Sequence, residues 1–97
     1  MAAVVYSSHA LDHLERAFDF LAQTEPSAAL KAATAIQPAV SILAAHPLIG
    51  RRLEGEIREL VISFGKSGYL ALYRFILHLD VVRVLSIRHQ HELDYPE

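Results

Sequence analysis

Arg88, His89, His91 and Tyr95 crowd the last ten residues of a 97-residue chain, and Arg74 stands in the middle of an apolar run before them. An imidazole titrates near neutrality, so His89 or His91 could take or give a proton. The guanidinium groups of Arg74 and Arg88 could hold a phosphate as charge develops on it, and Tyr95 could stack on a base or donate a proton. Attack on a phosphodiester by a neighbouring hydroxyl needs that set: a base, cations around the phosphate and an acid for the leaving oxygen. The plainer alternative is that Arg88, His89 and His91 are solvated side chains where a strand leaves a sheet.

Arg74 poses its own question. On alternation it shares a face with Leu70, Leu72 and Ile76, an isolated charge in an apolar strand. A buried charge is costly unless paired, so Arg74 must reach an open face or a carboxylate such as Glu59 or Glu92. A structural ion pair and a contact with a target are equally open.

Two other patterns carry less. His9 and His13 have the i, i+4 spacing that can bind zinc on a helix, but Ala10 stands where a general base would be and no third ligand is evident. They read as surface histidines, and no metal or cofactor is expected. Gly65-Lys66-Ser67-Gly68 leads into a strand and not a helix, so it is a hairpin turn and not a phosphate-cradling loop.

The elements that must position these groups follow from periodicity. Ala2 to Tyr6 ends β-branched and aromatic and is closed by two serines, which predicts a first strand. Either serine can cap a helix over about Ser8–Gln23, whose apolar stripe is Leu11, Leu14, Phe18 and Leu21. Pro26 suits the first turn of a second helix, with a stripe of Ala29, Ala33, Ile36, Val40 and Leu43. The small residues predict a tight antiparallel hairpin of helices. Pro38 predicts a kink between Thr34 and Gln37, or else two shorter helices. His46 and Pro47 end the helix, and Arg51–Glu56 reads as a polar connector. Three strands then follow: Ile57–Phe64, Tyr69–Leu77 and Val81–Arg88, with a turn at Leu79 and Asp80. In the first of them Arg58, Leu60, Ile62 and Phe64 share one side. The fold class is α+β in the order β-α-α-β-β-β, one domain over residues 1–97, with the helical hairpin on one face of a mostly antiparallel twisted sheet.

The totals narrow the functions. The chain is 53% hydrophobic and 21% charged, as a folded globular protein should be. It has no cysteine, which excludes disulfides, thiolate metal sites and a cysteine nucleophile. A net charge of −2 argues against a strongly basic nucleic-acid binder. The charge is uneven, however. Residues 51–91 carry seven bases against four acids, and the first fifty carry two against four. The opening MAAVVYSSHALDHLE is no signal peptide, and no apolar run approaches the ~20 residues of a membrane span, so the expected location is cytoplasmic with no membrane partner.

The order of several short motifs carries a resemblance. A strand, a helix pair ending HPLIGR, then IRELVI, a turn, GYLALYRF and VVRVLSIRHQHELDY resemble the RelE/ParE superfamily of toxins from type II toxin–antitoxin systems. The resemblance covers nearly the whole chain and is nearest to ParE-like plasmid-stabilisation proteins. Its most specific pieces are HPLIGR, Arg58 with Leu60, Tyr73 with Arg74, and Arg88 with His89.

What the resemblance implies divides by mechanism. RelE-like members cut messenger RNA on the ribosome, and ParE-like members inhibit DNA gyrase by binding. The long helical hairpin, and Leu70 where RelE-like nucleases tend to carry an Arg, lean to the ParE side. The resemblance thus implies a toxin that arrests growth by binding an essential target, DNA gyrase, and is neutralised by a cognate antitoxin. Arg58, Tyr73, Arg74, Arg83 and Arg88 are the expected target- or antitoxin-binding residues. Arg74, Arg88, His89, His91 and Tyr95 are the expected catalytic set if the protein is instead a metal-independent, ribosome-dependent mRNA endoribonuclease. A third alternative is an inactive member that only binds an antitoxin or dimerises.

Overall fold

The computed structural model describes residues 1–64 and 67–89. Strand β1 (Ala3–Tyr6) leads into helix α1 (Ser8–Thr24) and then helix α2 (Pro26–Ser41), which tightens into a 3-10 turn at Ile42–Ala44. Strands β2 (Arg51–Glu54), β3 (Ile57–Phe64) and β4 (Ser67–Ile76) follow; a second 3-10 turn at Leu77–Leu79 precedes β5 (Val81–His89). The strand order is β1-β5-β4-β3-β2. β1 runs parallel to β5 and the other neighbours are antiparallel. Two helices on one face of a mostly antiparallel sheet is the architecture expected from the sequence. Among the described residues no helix is long and apolar enough to cross a membrane.

The expected connector at Arg51–Glu56 needs correction: Arg51–Glu54 is a strand, paired with β3 through Arg51 opposite Glu59 and Arg52 opposite Arg58. It lies at the sheet edge with all four residues exposed, so it carries no apolar alternation to announce it. A bulge after Arg52 and Gly55 at φ +56° turn it into β3. α2 runs unbroken through Pro38 to Ser41, so the alternative of two shorter helices does not hold. The turn before β5 falls where expected, with Asp80 in the left-handed region (φ 52°), which aspartate tolerates better than most residues.

The core lies between the hairpin and one sheet face. Ala10, Ala32, Ile36, Val40 and Leu43 meet Ile62, Tyr69, Ala71, Tyr73, Val82, Val84 and Ile87. The stripe expected on α1 is rotated: Leu11 is 53% exposed, and Ala10 and His13 are buried in its place. The cause is where α1 starts. Ser7 caps the helix by accepting from the Ala10 N–H at 3.1 Å, and its own hydroxyl donates to the Leu85 carbonyl at 3.0 Å. That anchor to β5 sets the phase of the first turns, and Leu14, Ala17, Phe18 and Leu21 continue the buried side.

Candidate functional site

Two residues that the sequence offered as partner contacts belong to the scaffold. Tyr73 is 0% exposed, and its hydroxyl accepts from the Gly50 N–H at 2.8 Å. Its cross-strand neighbour Arg58 donates to the carbonyls of Leu48 (3.1 Å) and Gly50 (2.9 Å). A Cβ at Gly50 would lie 2.6 Å from Tyr73 Cε1 and 2.9 Å from the Glu59 carbonyl oxygen. Only glycine fits there. The HPLIGR segment is therefore bolted to the sheet by Tyr73 and Arg58. Burial raises the Tyr73 phenol above its usual range, although the Gly50 hydrogen bond and the nearby Arg58 charge pull the other way.

The sheet face away from the helices carries the exposed Arg74 and Arg83. Arg74 reaches it, as one of the two expectations required, but its partner is Glu56 (3.2 Å), and Glu59 instead binds Arg51 (3.1 Å). The reason is register: Ile57 lies opposite Arg74, so the acid just before β3 is nearest. Glu92, the other carboxylate offered, falls outside the described residues. Arg83 lies opposite Arg74 and is exposed. Val61, 58% exposed, and the half-buried Ile57, Leu72 and Ile76 make this face mixed and not uniformly basic.

At the far end of β5 the side chains cluster differently. β1 ends opposite Val84, and α1 then runs alongside the remainder of the strand. His13 takes over there. Its Nδ1 accepts from the Ile87 N–H at 3.1 Å and lies 3.3 Å from the Ser86 hydroxyl, so the neutral ring carries its proton on Nε2. His13 is 5% exposed, which corrects its expected surface position; a histidine between Asp12 and Leu14 gave no sign of this. The His89 ring meets Tyr69 edge-on at 5.3 Å. His13, Arg16, Phe20, Leu21, Arg88 and His89 are among the residues around an adjoining cavity of about 390 Å³. His91 and Tyr95 lie outside the described residues. Of the expected catalytic set, then, Arg88 and His89 come together and Arg74 does not join them. Among the described residues no group of three or more His, Asp or Glu is placed to hold a metal.

This fold and its motifs have known counterparts. The model of the ParE toxin of type II toxin–antitoxin systems, parDE, matches residues 4–94. The chain belongs to this family. It is 36% identical over 92 residues to Toxin RelE3 of Caulobacter vibrioides, covering 95% of this chain and 98% of that one. A solved structure, the chromosomal ParDE toxin–antitoxin system from P. aeruginosa, shares the fold with a TM-score of 0.73 at 24% identity, over 92% of this chain and 96% of that one. The protein is thus a ParE/RelE-type toxin of a type II toxin–antitoxin system, a class that implies an antitoxin partner.

Proposed function

We propose that this toxin arrests growth in the cytoplasm by binding an essential target, DNA gyrase, rather than by cutting RNA, and that its cognate antitoxin prevents that contact. The observation that carries the reading is the neighbourhood of Arg88. Its cross-strand partner is Leu70, a buried aliphatic side chain, where a second cation would be needed to share one phosphate. The next cation on β4 is Arg74, four residues along the strand, about 13 Å at the usual rise per residue. That spacing suits separate contacts to a broad surface better than a clamp on one scissile phosphate. Arg74, Arg83 and Arg88 supply the cations of that surface in this reading; Arg58 and Tyr73 hold the scaffold beneath it.

Expression of the chain without its antitoxin tests this. The expected result is growth arrest that survives His89→Ala, His91→Ala and Tyr95→Ala together, with purified protein blocking supercoiling by gyrase. New cleaved messenger ends that vanish with those three substitutions would establish the RelE-type endoribonuclease instead. No arrest at all would leave an inactive antitoxin-binding or dimerisation module.

A further inference from the structure

We infer that the chain forms a dimer in which the edge strand β2 pairs antiparallel with β2 of a second copy, extending the sheet across a two-fold axis. β2 ends the sheet, and all four of its residues are exposed. Among the described residues its outward N–H and C=O groups meet no other backbone. The opposite edge is less open, because the Ala2 N–H just before β1 donates to the Ala44 carbonyl at 2.8 Å. An edge strand is commonly kept from pairing by charges, above all lysines. β2 instead carries both signs, in the order Arg51, Arg52, Leu53 and Glu54.

The bulge after Arg52 makes that order self-complementary. Arg51 lies opposite Glu59 and Glu54 opposite Ile57, two β3 residues that are themselves two apart. Residues two apart on a strand share a face, as do residues directly opposite each other, so Arg51 and Glu54 share a face although they are three apart. It is the open face, since Ile57 stands opposite Arg74. A two-fold axis through the middle of β2, perpendicular to the sheet, then sets each Arg51 opposite Glu54 of the other copy and each Arg52 opposite Leu53. A slip of one residue brings the two Arg52 side chains together or joins residues from opposite faces. Arg51 already holds Glu59 at 3.1 Å, but its side chain is 75% exposed and a guanidinium has five donors, so it can hold both acids. Glu54 makes no ion pair among the described residues. Leu53 is 43% exposed, and Leu48 and Ile49, which lead into β2, are each 58% exposed, so apolar surface borders the pairing strands. With the axis perpendicular to the sheet, both open faces, each with its Arg74 and Arg83, look the same way.

Analytical ultracentrifugation of the purified full chain, from about 10 µM to about 1 mM, tests this. The mass should rise from 10.8 kDa to twice that value. Arg51→Glu and Glu54→Arg should each weaken the dimer by about tenfold or more, because each sets like charges opposite one another in both pairs. Mixed in equal amounts, the two variants should pair with each other, since opposite charges then meet at both places. Leu53→Cys is a second probe that leaves the ion pair of Arg51 intact. The chain has no cysteine, and the two Leu53 sites flank the axis within disulfide reach. This variant should form a covalent dimer under mild oxidant, whereas Val61→Cys, exposed on β3, should stay monomeric. A chain that remains monomeric to about 1 mM overturns the inference and leaves the edge to another chain. A dimer indifferent to both charge reversals, variants that unfold cooperatively on heating yet do not pair when mixed, or equal cross-linking at Val61 overturns it too. None of these measurements depends on growth arrest or on which target is attacked.

Discussion

Replacing Tyr73 by Phe isolates one hydrogen bond at the junction between α2 and the sheet. The ring stays, so no cavity opens, but the Gly50 N–H loses the hydroxyl that accepts it at 2.8 Å. Both residues are buried, and water cannot easily replace the lost partner. Leaving a buried donor unsatisfied costs about 1–3 kcal/mol. In a domain of this size each kcal/mol moves the thermal midpoint by roughly 4–8 °C, so calorimetry should show a fall on the order of 5–20 °C. Urea unfolding should show a lower midpoint at an unchanged slope. The same variant changes the alkaline limb. Burial raises the Tyr73 phenol in the folded state above its usual 10.0, so the unfolded chain loses this proton first as pH rises past that value. Stability contributed by Tyr73 is present below pH 10.0 and declines above it; the Phe variant should lack that share of the decline. Gly50→Ala is the companion test, because its Cβ would lie 2.6 Å from a buried ring atom that Phe would also possess. It should destabilise by about 1–3 kcal/mol in either background. Unchanged midpoints for both variants would refute the idea that Tyr73 fastens this loop.

Three further outcomes are expected. His13→Ala removes the acceptor of the Ile87 N–H and opens space in the core, so it should cost about 2–4 kcal/mol in urea unfolding, with His13→Gln recovering part through its amide oxygen. The ion pair of Arg74 with Glu56 is exposed on both sides; a double-mutant cycle should give a coupling below about 0.5 kcal/mol. Arg83→Glu should weaken growth arrest while leaving the thermal midpoint within about 2 °C, whereas Arg58→Ala, which strips donors from two loop carbonyls, should lower the midpoint first.

The large elements were legible because each buries one regular face. β3 alternates, β4 is apolar on both sides because it is central, and the expected α2 stripe places Ile36, Val40 and Leu43 in the core. β2 was not legible: an edge strand with four exposed residues has no pattern to read. The phase of α1 was missed for another reason. Leu11 scores as apolar, but Ser7 ties the helix start to Leu85, 78 residues away in the chain, and that anchor turns Leu11 outward and His13 inward. Of the candidate site, alternation left Arg74 at either the open face or a carboxylate, and it reaches that face and pairs there with Glu56. Its partner depended on a cross-strand register that no single strand reveals.

The same register separates what identifies this family from what decides its target. HPLIGR, Arg58 and Tyr73 were among the most specific pieces of the resemblance, and all converge on the loop between α2 and β2, with Tyr73 wholly buried. A motif of that kind reports that the chain can close this junction, a requirement of the fold whichever macromolecule is attacked. Discrimination between targets must then come from side chains a partner can touch. In the proposed reading the exposed Arg74 and Arg83 on the open face are the candidates for that role. Leu70 belongs with neither group. It is buried, yet it sits opposite Arg88, and by filling that place with an aliphatic side chain it withholds the second cation that a phosphate clamp would need there. In the proposed reading, that aliphatic neighbour of Arg88 is what favours a binding surface over a phosphate clamp.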